Sequence, residues 1–254
     1  MKIISYNVNG IRAASRKSFV AWLSDNNPDI VCLQELKAKT DQFEVKEFED
    51  LGYHCLWNSA ERKGYSGVAL LSKKKPQFSK FGIGIEDFDI EGRLIRADIG
   101  SLTQISVYIP SGSMGELRQD FKMNFLDAFY EFVRNLKKER PNIIISGDYN
   151  ICHEAIDIHD PIRNANSSGF LPEEREWFTD FLQLGLIDSF RHFNKDTIKY
   201  SWWSYRARAR EKNLGWRLDY NIISEGLLSK VKNVEILNDA FHSDHCPVVI
   251  ELDI

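Results

Sequence analysis

The chain has 254 residues, 43% of them hydrophobic, and 33 Lys and Arg against 37 Asp and Glu give a formal charge of -4. That length buries a large core, as one α/β unit or as two fused half-sized layers, and the apolar runs are of strand length only, so neither a membrane span nor a signal peptide is expected and the expected location is cytoplasmic. Cys32, Cys55, Cys152 and Cys246 are scattered without a CxxC spacing, which argues against a disulfide framework or a structural zinc site and leaves them as packing residues.

In chain order, residues 2–8 and 29–34 read as apolar strands, with a helical pattern between them that carries Phe19, Val20, Trp22 and Leu23 on one side. Shorter strand candidates follow at 53–57, 66–71, 77–83, 93–99 and 102–109, separated by Gly, Lys and Pro as in a meander. A long helix is predicted over 118–138, where Phe121, Phe125, Phe129, Phe132 and Leu136 recur at core spacing. Residues 143–146 return to strand. Helices are predicted at 172–184, opened by Pro172, Glu173 and Glu174, and at 186–192, and strands at 217–223, 231–237 and 246–252. No linker or low-complexity stretch divides residues 1–254, so one domain is expected. The similarity of SYNVNG to SGDYNI points to two like halves, and the order of elements to two packed mixed sheets with helices outside, an α/β sandwich.

Five of these segments, IISYNVNG, DIVCLQE, IIISGDYN, RLDYNII and SDHCPVVIEL, run apolar residues up to Asn, Asp, Glu or His at or beside a strand end. A buried charge costs several kcal/mol unless it is paired or binds a metal, so the pattern predicts one polar site on a sheet rim. Glu35, Asp148, Asp219 and Asp244 offer the hard oxygen ligands that Mg²⁺ prefers, while Asn7, Asn9 and Asn150 suit binding its waters or fixing a carboxylate. His245, directly after Asp244, can move a proton or hold a phosphate oxygen as a cation. Tyr108 ends another apolar strand and can present its hydroxyl at the same rim.

The acidic total hides a basic stretch. Between Arg191 and Arg217 there are eight Lys or Arg residues against two acids, a local excess of six that suits phosphate contact. Trp202, Trp203, Arg206, Trp216 and Leu218 lie in the same stretch, where aromatic and guanidinium groups can stack on bases, line a sugar pocket and grip phosphates.

The blocks SYNVNGIRA, LQELK, VYIPSG, SGDYNICHEAIDI, SGFLPEEREWF, YSWWSYRARAR, GWRLDY and SDHCP, in this order over essentially the whole chain, resemble the exonuclease III family of AP endonucleases within the endonuclease/exonuclease/phosphatase superfamily. The resemblance implies a four-layered α/β sandwich and phosphodiester hydrolysis with Mg²⁺ or Mn²⁺. It implies Glu35 as principal metal ligand, Asp244 completing or flanking that site, and Asn9 in water-mediated rather than direct contact, since some members carry Asp there. Asn7 and Asn150 would orient the site, Asp148 would handle the attacking water, Asp219 would pair with His245, and Tyr108 would bind the scissile phosphate. Trp202, Trp216 and Leu218 would floor an abasic-sugar pocket, Gly169 would leave room for the flipped sugar, and Arg118 would touch backbone phosphate. Two proton assignments stay open: Asp148 as base with a cationic His245 on a nonbridging oxygen, which is preferred, or His245 as base with Asp148 acting on the leaving group.

The expected function is a metal-dependent repair nuclease that cuts 5′ to abasic sites in double-stranded DNA, working at the nucleoid, with 3′-5′ exonuclease and 3′-phosphatase activity on blocked 3′ ends. One alternative is a superfamily phosphoesterase acting mainly on blocked 3′ ends or on a non-DNA phosphate ester. Another is a non-catalytic nucleic-acid binder, which would have no use for Glu35, Asp148, Asp219 and His245 together. No assembly signal is present, so a monomer is expected.

Overall fold

Strands form here where apolar and β-branched residues run together long enough to be covered on both faces, and Ile30–Gln34, Val68–Ser72 and Ile143–Asp148 are buried at every position. The computed structural model describes Met1–Ile254. Its elements are β1 (Lys2–Asn7), α1 (Ile11–Ser15), α2 (Phe19–Asn26), β2 (Ile30–Gln34), α3 (Lys46–Glu49), β3 (His54–Asn58), β4 (Val68–Ser72), β5 (Phe78–Phe81), α4 (Glu86–Asp89), β6 (Leu94–Ile99), β7 (Leu102–Tyr108) and α5 (Glu116–Glu139). They continue with β8 (Ile143–Asp148), α6 (Pro172–Leu182), β9 (Leu186–Asp188), α7 (Ser189–Phe193), β10 (Asp219–Ser224), β11 (Val231–Ile236) and β12 (Val248–Leu252). No helix is long and apolar enough to cross a membrane.

The strands make two six-stranded sheets, β11-β12-β1-β2-β4-β3 and β5-β6-β7-β8-β10-β9. Each has one parallel pair, β1 with β2 and β7 with β8, and in each the first or second member also pairs antiparallel with a late strand, β12 or β10. Reading the second sheet backwards sets β8 opposite the role of β1 and β10 opposite that of β12. The likeness of SYNVNG and SGDYNI is therefore a likeness of position. The close approach of β7 and β8 requires a glycine, because a Cβ at Gly147 would lie 1.9 Å from the Val107 carbonyl oxygen.

Between the sheets lies a core of Ile3, Ile30, Val68, Ile95, Ile144 and Ile250 among others. Outside the first sheet Phe19, Leu23 and Phe48 cover Tyr6, Leu33 and Leu71, and outside the second Phe125, Phe129, Phe178 and Phe181 cover Ile105, Ile145 and Tyr149. These are the four layers expected from the sequence. On the helix predicted at 118–138, found at Glu116–Glu139, Phe125, Phe129 and Leu136 are buried and Phe121 and Phe132 flank them.

Two expectations change. Residues 53–109 are not one meander: β3 and β4 form the edge of the first sheet, and β5, β6 and β7 the edge of the second. Nor is 186–192 one helix, since Leu186–Asp188 pairs with β10 at the sheet edge and only Ser189–Phe193 is helical. Pairing with a neighbouring strand overrides a short helical pattern, and Asp188 then caps the new helix by accepting from the Arg191 amide at 3.2 Å.

Candidate active site

The ends of β1, β2, β7 and β8, the start of β10 and the turn before β12 meet at one rim, where a cavity of about 400 Å³ opens. Glu35, Tyr108, Asp148, Asn150, Asp244 and His245 face it together with Asn9, and Gly169, Trp202, Trp216 and Leu218 form its other side. Asn7 lies buried beneath Asp148, and Asp219 lies buried behind His245. Several of these residues turn the backbone sharply: Asn9, Glu35 and Asn150 all have φ between +45° and +54°. Non-glycine residues there are uncommon and cluster at functional sites.

Asp148 accepts from Asn7 Nδ2 and from the Asn150 amide, each at 2.8 Å. His245 Nδ1 sits 2.8 Å from Asp219 Oδ2, which also accepts from the Ser201 hydroxyl at 2.6 Å, and His245 Nε2 faces Asp148 at 3.8 Å. Burial alone would strip the imidazole of its proton, but the Asp219 carboxylate and the Asp148 charge outweigh it and raise His245 well above the ordinary histidine range. The two carboxylates beside it thus favour the charged form of the ring. Burial, then the Asp219 charge, raises Asp148, while His245 pulls it back.

Across the cavity the Tyr108 hydroxyl donates to Glu35 at 2.5 Å, and burial followed by the Glu35 charge keeps the phenol protonated. Burial would raise Glu35 too, but the Lys37 ammonium, 2.5 Å away, holds the carboxylate below its usual range. Asn9 accepts from the same ammonium at 2.5 Å and donates to Asp244 at 2.9 Å, whose second oxygen takes the Trp202 indole N–H at 3.1 Å. The Asn9 amide thus joins Lys37 to Asp244 and orients them. The Trp202 and Trp216 rings stand at 89° with centroids 6.1 Å apart, a corner into which Gly169 fits because it has no side chain: a Cβ there would lie 2.9 Å from the Trp216 ring and 3.2 Å from the Asn150 carbonyl oxygen.

Ligand atoms of Asp148, Asp219 and His245 lie within 4.8 Å of one another, a buried set able to hold a divalent cation. Glu35, Asp244 and Asn9 form a second oxygen-rich corner on the other side of the same cavity. That corner already attracts the Lys37 ammonium.

Four residues predicted for substrate or phosphate contact stand differently. Trp203 is buried with Phe190, Tyr200 and Cys246 and lies in the core instead of the cavity. Arg118 forks onto Glu91 at 2.9 and 2.7 Å and donates to the Tyr65 hydroxyl. Arg191 and Arg217, two of the eight basic residues, are buried on Asp157, and Arg217 also reaches Asp188 at 2.7 Å. Lys195, Arg206, Arg208 and Lys212 remain exposed, while Arg210 is turned inward onto the carbonyls of Asn238, Ala240 and Ser243. Net charge along a stretch does not reveal which cations already have partners.

Sequence reasoning missed Lys37 and Ser201. No strand alternation signalled the first, because Glu35 and Lys37 both turn at positive φ, +54° and +51°, just past the end of β2. The four cysteines are free, with Cys32, Cys152 and Cys246 buried and Cys55 half-buried, as packing residues are.

Residues 4–245 match the model of the Endonuclease/Exonuclease/phosphatase family. An exodeoxyribonuclease of Bacillus subtilis (strain 168) is 43% identical over 256 residues, covering all of both chains. An AP endonuclease from Archaeoglobus fulgidus superposes with a TM-score of 0.93 at 31% identity, and a 3′-5′ exonuclease from Neisseria meningitidis with 0.93 at 32%, each over the whole of both chains. Agreement along the full length in both sequence and fold shows that this chain belongs to the endonuclease/exonuclease/phosphatase family, among its exonuclease III-like, metal-dependent nucleases.

Proposed function

We propose that the protein is a DNA repair nuclease that hydrolyses the phosphodiester 5′ to an abasic site in duplex DNA. The observation that carries this reading is that the hydrolytic groups and an aromatic corner share one cavity. Asp148 and His245 line it beside Trp202, Trp216 and Leu218, and Gly169 leaves the corner open. An apolar corner of this kind suits a sugar without its base, and flipping costs least where no base is paired. The exposed Arg206, Arg208 and Lys212 on the adjoining loop suit the phosphates of a duplex.

Glu35, flanked by Asp244 and steered through Asn9, would hold Mg²⁺, with Mn²⁺ as a substitute, and the corner's hold on the Lys37 ammonium is the mark of a cation site. The Asp148, Asp219 and His245 set fits less well, because Asp219 Oδ2 already accepts from Ser201 and holds His245 Nδ1. When bound, the ion offsets charge developing on the phosphoryl oxygens and eases departure of the leaving oxyanion.

The chain's own residues do the rest. Asp148, fixed by Asn7 and Asn150, takes a proton from the attacking water as its oxygen bonds to phosphorus. Cationic His245, held by Asp219, holds a nonbridging oxygen, and the Tyr108 hydroxyl turns its one O–H from Glu35 to the same phosphate. The bond from phosphorus to the 3′ oxygen breaks, the departing oxyanion takes a proton from solvent, and a 3′-hydroxyl and a 5′-deoxyribose phosphate remain. Asp148, fixed by two hydrogen bonds, and His245, held by Asp219 on its far nitrogen, suit this assignment. The same groups would serve a phosphate at a blocked 3′ end, so 3′-phosphatase and 3′-5′ exonuclease activities are expected alongside.

The test is a panel of three duplexes, one with a single AP site, one intact and one ending in a 3′-phosphate, each with Mg²⁺ and with EDTA. Faster incision of the AP duplex than of the intact one, abolished by EDTA, is expected. Rapid release of the 3′-phosphate beside an uncut AP duplex would overturn the reading.

A further inference from the structure

We propose that the buried Lys122–Glu174 ion pair is a positioning pair that sets the width of the lesion pocket by gripping two of its walls. The inference rests on the abasic-site reading above. Both side chains are wholly buried, 2.6 Å apart, and a buried ion pair is a poor source of stability compared with apolar residues of the same shape. What distinguishes this one is where its hydrogen bonds go. Lys122 Nζ donates to the carbonyl oxygen of Asn150 at 2.8 Å, on the loop that orients Asp148. Glu174 Oε2 accepts the amides of Gly169 at 2.6 Å and Leu171 at 3.0 Å, on the loop that forms the pocket corner.

The Asn150 carbonyl oxygen is also the atom that a Cβ on Gly169 would meet at 3.2 Å. The pair therefore clamps the two backbones whose separation decides whether a sugar enters. Gln119 adds to the clamp, donating to Glu174 Oε1 at 3.0 Å while accepting from the Ser168 hydroxyl at 2.8 Å. None of these side chains reaches the reacting atoms. Their effect passes through Gly169 and Asn150.

The experiment compares wild type, Glu174→Gln and the double variant Lys122→Met/Glu174→Leu on the AP duplex and the 3′-phosphate duplex, with thermal melting of each protein. Glu174→Gln leaves one acceptor oxygen where two served, so either the Gly169 and Leu171 amides or Lys122 and Gln119 face an NH2 group and lose their acceptor. The double variant replaces both charges with apolar groups of similar size and is expected to stay folded. A displaced wall should lower the ratio of kcat/KM on the AP duplex to that on the 3′-phosphate duplex by roughly 10- to 100-fold, mostly through KM. This should hold in the double variant even where its melting temperature matches wild type. An unchanged ratio, or loss on both substrates in parallel with melting temperature, overturns the inference alone. A wild-type enzyme that leaves the AP duplex uncut overturns the proposed function and the inference together.

Discussion

Asn7 Nδ2 donates to Asp148 Oδ2 at 2.8 Å, and the two residues are the last of strands that hold equivalent places in the two sheets, β1 and β8. The pseudo-symmetry of the fold thus brings two like strand ends together, one as an amide donor and the other as the carboxylate it fixes. Partners that orient such a group usually contribute about 10- to 100-fold to activity. Asn7→Ala is therefore expected to slow single-turnover incision of an AP duplex by that amount with little change in melting temperature; a rate within twofold of wild type would show that Asp148 needs no such support.

Gly169→Ala offers a sharper separation of activities. Its φ of +96° disfavours any side chain, and the added methyl would press on Trp216 and on the Asn150 carbonyl. AP-site incision is expected to fall by about tenfold or more while 3′-phosphate release changes far less, since steric fit enters only where a sugar must be seated. Equal losses on both substrates would remove Gly169 from the lesion pocket.

Metal binding is expected to follow Glu35. Isothermal titration of the free protein with Mn²⁺ should show Glu35→Gln weakening affinity by about tenfold or more, and Asp219→Asn having the smaller effect. The reverse order would place the ion on the Asp148, Asp219 and His245 side.

Acid stability is expected to depend on Asp157. Its burial alone would raise the carboxyl, but Arg217 and Arg191 hold it at about 2. An unfolded Asp titrates near 3.9, so the folded value is the lower one: the stabilisation is complete above about pH 5 and disappears as pH falls through 2, about 3 kcal/mol in all. Asp157→Asn leaves Arg191 without its carboxylate and Arg217 with Asp188 alone, and should cost about 3–5 kcal/mol at pH 7. Urea midpoints measured from pH 7 to pH 2 should fall less steeply at the acid end in the variant than in wild type; parallel curves would mean that Asp157 does not carry this dependence.

The rim itself was legible because apolar runs set the strands, and each run placed its polar terminus at the sheet edge. Glu35, Tyr108, Asp148, Asp219, Asp244 and His245 converge for that reason. Asn9, read as a water-mediated metal contact, bonds to Lys37 and Asp244. The misread arginines share one cause, a partner distant in sequence. Arg118 meets Glu91, Arg191 and Arg217 meet Asp157, and nothing in a charge count distinguishes a paired cation from a free one. Trp203 had a local signal that went unused. In an extended stretch neighbouring side chains point oppositely, so when Trp202 faces the cavity Trp203 faces the core. Lys122 had one as well, a charge on the apolar stripe that continues through Phe125, Leu126, Phe129 and Val133.

The central claim is that this one cavity hydrolyses DNA beside an abasic site with Asp148 handling the water. It is tested most directly by single-turnover cleavage of a 5′-labelled duplex with one AP site, resolved to the nucleotide, for wild type and Asp148→Asn. The predicted result is one Mg²⁺-dependent cut immediately 5′ to the lesion, leaving a 3′-hydroxyl that a polymerase extends, and a rate lower by roughly 10²-fold or more in the variant. A cut 3′ to the lesion that persists in EDTA, or an Asp148→Asn enzyme as fast as wild type, would contradict it.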